Sequence, residues 1–172
     1  MKDYPWYEVV CGEDDLMQGD FIKDCPVLIP PLEISNSIEV KIINYDVVIM
    51  SQSCDLVQRK LDLVLVCPVW SLNEFEKRGD FFKSKKGKEA LRQGNVPGYH
   101  LLNRCKIDGF ETEYLVVDFR SVYSVPFDFI VELAQKRDKR LRLLPPYREH
   151  LSQAFARFFM RVGLPVNIPP FK

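Results

Sequence analysis

Residues that build metal sites are scarce in this sequence. It has only two histidines, His100 and His150, and its five cysteines include no Cys-x-x-Cys pair. Structural zinc sites usually draw on closely spaced ligand pairs, so neither a metal nor another cofactor is expected. A metal ion would have to use residues that are scattered along the chain: Cys54, Cys67, Cys105 and His100.

Long hydrophobic runs are also missing. No run approaches the ~18 apolar residues that a membrane span requires, and the first ten residues, MKDYPWYEVV, lack the apolar stretch of a signal peptide. An odd number of cysteines without paired spacing is typical of reduced thiols. We therefore expect a cytoplasmic protein that does not contact a membrane.

The net charge of zero hides an asymmetry between the two ends of the chain. Residues 131–172 contain nine Lys or Arg residues and three acids, so this end carries +6 and residues 1–130 carry −6. Such a split indicates either an acidic partner for the basic end or two halves of the fold that attract each other. The balanced total gives no general reason to expect nucleic-acid binding.

The pattern of short apolar segments favours one α+β domain over residues 1–172. Alternation over Ile38–Ile43 is typical of a half-buried strand, while the continuous apolar runs Val47–Met50 and Leu61–Val69 are typical of strands covered on both faces. Many short strands, a helical insertion and a closing helix predict a small, strongly bent antiparallel sheet or SH3-like barrel.

The helical insertion is marked by a start signal. Ser71 and Glu74 form a capping-box pattern, which predicts an insertion over about 71–94 whose second helix runs from about Asp80 to Gln93. Further along, Phe127–Gln135 fits a short helix better than a strand.

The C-terminal part of the chain predicts an amphipathic helix over about 146–163, ended by Gly163. Its apolar stripe consists of Leu151, Phe155, Phe158 and Val162. Polar residues beside this stripe and just upstream of it are Arg140, Arg142, Arg148, His150, Gln153, Arg157 and Arg161. Their guanidinium groups and the first amides of the helix suit a phosphate, and the alternative is a solvated helix face.

A polar motif, Ser51-Gln52-Ser53-Cys54-Asp55, directly follows the run Val47–Met50. Functional loops are common where a strand ends. In one interpretation Cys54 is a nucleophile that His100 activates, with Asp55 or Asp118 as the acidic orienter. In the other, Cys54 is a small buried residue and its polar neighbours shape a turn. The candidate catalytic residues are thus Cys54, Asp55 and His100, and the candidate binding residues of the motif are Ser51, Gln52 and Ser53.

The order of these elements resembles that of the MazF/PemK-like toxins. Gly19–Ile22 resembles the opening Gly-Asp strand of that family, and Leu63–Val69 resembles its strand ending in Pro-(Val/Ile). The resemblance implies an SH3-like barrel, often dimeric, that cleaves RNA with an arginine and a hydroxyl. Asn44-Tyr45-Asp46 stands where the arginine is expected, and Ser71 is the nearest hydroxyl.

Two other segments are similar to a group of uncharacterised prokaryotic proteins. These are residues 51–56, which carry the Ser-Gln-x-Cys-Asp motif of that group, and Arg140–Pro165. The similarity implies an accessory protein of a phage-defence or CRISPR-associated system.

Three functions fit these features. The first is a non-catalytic binding or regulatory module that contacts a protein partner or nucleic acid through the motif and the basic C-terminal segment, with homo-oligomers compatible with it. The second is a MazF/PemK-type endoribonuclease with Arg59 or Arg104 in place of the missing arginine. The third is an enzyme that depends on Cys54 and His100. The missing arginine favours the first, because a scissile phosphate would lose its main electrostatic stabiliser.

Overall fold

The computed structural model describes residues 4–31, 33 and 40–160, over which the chain is a mixed α+β structure with antiparallel sheets. The strands are β1 (Tyr7–Cys11), β2 (Phe21–Ile29), β3 (Lys41–Ile49), β4 (Leu63–Ser71), β5 (Tyr99–Leu102), β6 (Leu115–Asp118), β7 (Tyr123–Pro126) and β8 (Lys139–Leu143). The helices are α1 (Ser53–Val57), α2 (Leu72–Glu76), α3 (Asp80–Lys83), α4 (Lys85–Arg92), α5 (Phe127–Gln135) and α6 (Tyr147–Phe159). Within the described residues no helix has the length and apolar character that crossing a membrane demands.

Six strands form one antiparallel sheet in the order β2-β3-β4-β6-β5, with β7 beside the first half of β4. The other two strands, β1 and β8, form a separate pair. The predicted closure into a barrel is not found among the described strands, because this pair meets the larger sheet through a single bridge between Asp20 and Arg142. A register shift between Ile22 and Cys25 bends β2, so only the start of β2 lies beside β8.

The end of β3 and the middle of β4 lie at the centre of the fold, because both of their faces are buried there. Side chains alternate along a strand, so Val47 and Ile49 pack with α1 and α5, whereas Val48 and Met50 pack with β1, β8 and α6. The two-sided burial predicted for Val47–Met50 is confirmed. This arrangement explains why the run contains no polar residue.

Helices α2, α3 and α4 lie between β4 and β5 and enclose a third core around Phe75. The predicted capping box at the start of α2 is confirmed. The Ser71 hydroxyl accepts a hydrogen bond from Glu74 N, and the Glu74 carboxylate accepts one from Ser71 N. The first turn of the insertion is therefore stabilised by hydrogen bonds between residues three apart, and the sequence pattern alone predicts them.

The prediction of one continuous helix from Asp80 to Gln93 is wrong, because the chain breaks at Ser84 between α3 and α4. The Ser84 hydroxyl donates to Phe81 O at 2.6 Å and accepts from Gly87 N at 3.0 Å. A serine that hydrogen-bonds nearby backbone groups competes with the helix ladder and favours a helix start.

The two last helices agree with the sequence as far as the structure describes them. Phe127–Gln135 is helical, as predicted. Helix α6 covers Tyr147–Phe159 of the C-terminal helix predicted over about 146–163, and the expected end at Gly163 lies outside the described residues. Residues 38 and 39 of the strand predicted over Ile38–Ile43 also lie outside them. The described members of the apolar stripe of α6 pack on the core beneath β1 and β8: Leu151, Phe155 and Phe158.

Candidate functional site

The serines of the polar motif fix its backbone. Ser51 Oγ accepts a hydrogen bond from Leu65 N at 2.8 Å, and Ser53 Oγ accepts one from Gln18 N at 3.1 Å. The Gln18 side chain in turn donates to Met50 O at 2.8 Å. Both hydroxyls therefore tie the end of β3 to its neighbours and hold the backbone of the motif in place.

The motif places two side chains in solvent. Gln52 and Cys54 are exposed, while Leu56, two residues further on, is buried and anchors α1 to the core. Cys54 Sγ lies 3.8 Å from the carboxylate of Asp55. The interpretation of Cys54 as a buried core residue is wrong, because α1 turns it outward.

The motif and α6 form the two walls of a groove with a volume of about 410 Å³. We call this depression the motif groove. One wall is the motif with Gln18 of the loop between β1 and β2, and the other is one face of α6. Its lining residues are Gln18, Gln52, Ser53, Cys54, Arg148, Glu149, Ser152 and Gln153. Two segments that are about 100 residues apart in the sequence are thus brought together.

The motif groove carries one cation that is neutralised locally. The Arg148 guanidinium donates to Glu149 Oε1 at 2.8 Å, and Glu149 Oε2 is buried without a hydrogen-bond partner among the described residues. Burial favours the neutral form of Glu149. The hydrogen bond from Arg148, a backbone hydrogen bond and the charges of Arg148 and His150 together outweigh burial and lower the pKa of the carboxyl group. The two side chains are therefore both ionised and cancel in charge.

His100 does not complete a catalytic pair with Cys54. It lies on β5 opposite Val117, its ring stacks 6.2 Å from that of Phe119, and it is not among the residues that line the motif groove. Burial, together with the nearby charge of His150, lowers the pKa of His100 to about 4. His100 is half-buried and packs beside Phe119 away from the motif groove, so the proposed Cys54–His100 pair is not formed.

Arg140 and Arg142 are buried on β8 and bind Asp20, whose side chain is fully buried. Arg140 Nε and Arg142 Nη2 donate to Asp20 Oδ2 at 2.8 and 2.9 Å. Arg142 Nε donates to the other oxygen of Asp20, Oδ1. Nη1 and Nη2 of Arg140 and Nη2 of Arg142 also donate to backbone carbonyls of residues 11–15. These two arginines hold the β1–β8 pair to the sheet, and the prediction that they face a phosphate is wrong.

Strand β8 and its arginine–aspartate cluster were missed by sequence reasoning. The signal was present, since Leu141 and Leu143 alternate with Arg140 and Arg142, and period-2 alternation is typical of a strand. The strand was overlooked because arginine is rare at an inward-facing position unless it is paired. The partner, Asp20, lies 120 residues away.

The other predicted basic residues are spread along α6. His150 is exposed and contacts the ring edge of Tyr147, Arg157 is exposed in the last turn, and Arg161 lies outside the described residues. Only Arg148 and Gln153 of that set line the motif groove.

The candidate residues of a MazF/PemK-type ribonuclease are engaged elsewhere. The Ser71 hydroxyl belongs to the capping box of α2. Arg59 forms a surface ion pair with Asp128 at 3.8 Å, and Arg104 lies 4.6 Å over the ring of Tyr114. The structure offers no arrangement in which these arginines and the serine face one phosphate.

Comparisons with known proteins leave the function to be argued from this geometry. No protein-family model matches the chain, and no curated protein shows a significant similarity to it. Among the described residues there is also no cluster of three or more His, Cys, Asp or Glu side chains that could hold a metal ion.

Proposed function

We propose that this protein is a non-catalytic binding module and that the motif groove takes a segment of a protein partner. The observation that carries the proposal is the placement of exposed Gln52 and Cys54 opposite Ser152 and Gln153 of α6. The serines of the motif hold its backbone in place, so little conformational entropy is lost when a partner binds there.

The electrostatics of the groove favour a protein over a nucleic acid as its occupant. Its arginine, Arg148, is already neutralised by Glu149 at 2.8 Å. Nucleic-acid affinity rests on cations that replace counterions at phosphates, and this groove has no cation in excess. Amide and hydroxyl groups, in contrast, offer both donors and acceptors to a polypeptide backbone.

An enzymatic role has weaker support. The cysteine lacks a histidine beside it, and the hydroxyl and arginines of the ribonuclease hypothesis are engaged in the fold. The similarity of the motif to proteins with a Ser-Gln-x-Cys-Asp sequence leads us to propose that the partner belongs to a phage-defence or CRISPR-associated system.

The test is a pull-down with the purified chain, scored for both protein and RNA, followed by a Kd measurement with the purified partner. Gln52→Arg places a bulky cation in the groove and should weaken binding of the partner at least about tenfold, since it blocks the centre of the contact. Gln58→Arg introduces the same change at an exposed position that does not line the groove.

The control variant should bind like the wild type. Equal affinity of the wild type and Gln52→Arg would overturn the proposed contact surface. Recovery of RNA alone, with cleavage products, would support the ribonuclease instead.

A further inference from the structure

A second surface of the protein has a different chemistry from the motif groove. Two depressions of about 440 and 650 Å³ share Tyr114 in their walls and so form one path, which we call the basic groove. One end lies between α3, α4 and β5, and the other lies beside the N-terminal residues and the loop after β5. The basic groove and the motif groove have no lining residue in common.

The walls of the basic groove carry six cations and a single acid. The acid, Glu89, accepts two hydrogen bonds from Arg92 and is neutralised within its own helix. Lys85 and Lys106, one at each end of the path, form no ion pair with a described residue. The six cations are Lys83, Lys85, Lys88, Arg92, Arg104 and Lys106. The other four are paired with acids: Lys83 with Asp80, Lys88 with Glu76, Arg92 with Glu89 and Arg104 with Glu113. The excess positive charge along the path therefore comes from Lys85 and Lys106, although the whole chain is neutral.

Aromatic rings line the same two depressions. The half-buried ring of Tyr114 stands at the junction of the two depressions with the Arg104 guanidinium 4.6 Å over its face. Tyr4 is about half exposed, and Trp6 is stacked on Tyr147 with 3.6 Å between ring centroids, which fixes its orientation. Rings beside cations in a concave surface offer stacking faces to bases and charge to phosphates.

We propose that the basic groove binds single-stranded nucleic acid without cleaving it. The combination of rings and cations favours a single strand over a duplex, because bases in a duplex are already stacked and cannot reach the ring of Tyr114. It also favours nucleic acid over an acidic peptide, which would use the cations and leave the aromatic faces unoccupied. The inference does not depend on the proposed function of the motif groove.

The experiment is fluorescence anisotropy of the full chain with a labelled oligouridine of about 12 nucleotides, the size range that one small domain covers. Three phosphate contacts imply a slope near −2 in log affinity against log salt. Raising salt from about 50 to about 200 mM should then weaken binding about 16-fold.

Variants locate the contact. Lys85→Glu combined with Lys106→Glu should weaken binding at least about tenfold and reduce the salt slope by about 1.4, since two of the three phosphate contacts are lost. Lys86→Glu, a neighbour on α4 that does not line the groove, is the matched control and should stay within about twofold. Tyr114→Leu should weaken binding of oligouridine while retaining the salt slope, because it removes a stacking face and no charge.

Several outcomes would overturn the inference. These are absence of oligouridine binding at low salt, equal binding of a duplex or of polyglutamate, and equal loss of affinity in Lys86→Glu and in the double variant. Gln52→Arg, which targets the motif groove, should bind oligouridine like the wild type. The two proposals can therefore fail independently.

Discussion

At the scale of single residues, the buried carboxylate of Asp20 is the feature with the largest energetic consequence. Its side chain is fully buried and receives hydrogen bonds from both Arg140 and Arg142. A buried ion pair often adds little net stability compared with apolar residues, but removing one partner leaves charges that are buried and unpaired. The cluster therefore makes the β1–β8 pair depend on one residue.

Asp20→Asn should lower the free energy of unfolding by about 3–5 kcal/mol, because two guanidinium groups would lose their carboxylate. Urea denaturation measures the loss. Asp24→Asn is the matched control, since Asp24 pairs with Arg137 at 3.3 Å on the surface, and exposed pairs contribute less than about 1 kcal/mol. Equal losses in the two variants would contradict a structural role of the buried cluster.

Cysteine reactivity also belongs to the residue scale. Cys11 and Cys54 are exposed, whereas Cys25, Cys67 and Cys105 are buried. Burial raises the pKa of Cys25 to about 11, and burial together with the charge of Asp118 raises the pKa of Cys67 to about 12. These thiols stay protonated at neutral pH, and the thiolate is the reactive form.

Iodoacetamide at neutral pH should therefore modify Cys11 and Cys54 at comparable rates, and modify the other three only after unfolding. Mass spectrometry of the labelled peptides measures the rates. Labelling of Cys54 much faster than Cys11 would contradict the non-catalytic proposal and revive the cysteine-dependent enzyme.

At the scale of elements, the short helices depend on hydroxyl groups at their starts. Ser71 caps α2 and Ser84 caps α4, each through a hydrogen bond from a backbone N–H three residues ahead. Helices of five and eight residues are too short to be stable alone. Their caps and the shared core around Phe75 hold them in place.

Ser71→Ala should destabilise the protein by about 1 kcal/mol, the usual contribution of an N-cap hydroxyl. Thermal unfolding followed by circular dichroism measures the change. Ser71→Asp is the matched variant, because a carboxylate can replace the hydroxyl as acceptor at this position. A loss in the aspartate variant as large as that in the alanine variant would show that the cap is not the cause.

At the scale of the whole molecule, three clusters of buried side chains share the central strands. Val48 and Val47 of β3 belong to different clusters, and Trp70 of β4 packs against the third. Strand β4 contributes to all three clusters, so its loss would expose all three at once. This arrangement predicts a single cooperative unfolding transition.

The two tryptophans can report on this cooperativity separately. Trp6 packs on the cluster beneath β1 and β8, and Trp70 packs on the cluster of the helical insertion. Trp6→Phe and Trp70→Phe each leave one fluorescent reporter. In each variant the denaturation midpoint measured by tryptophan fluorescence should coincide with the midpoint measured by far-ultraviolet circular dichroism, so any change in overall stability cancels. A reporter that melts earlier than the circular dichroism signal of the same variant would mean that its cluster unfolds as a separate unit.

Local signals in the sequence determined the features that depend on neighbouring residues. The capping box of Ser71, the two-sided burial of Val47–Met50 and the helix Phe127–Gln135 are all confirmed, because each follows from spacing within a few residues. Tertiary structure alone decided the rest. The pairing of Asp20 with Arg140 and Arg142, the meeting of Cys54 with α6 and the path through Tyr114 all join residues far apart in the chain. Such contacts arise from how the strands are ordered, and strand order depends on packing energies summed over the whole fold.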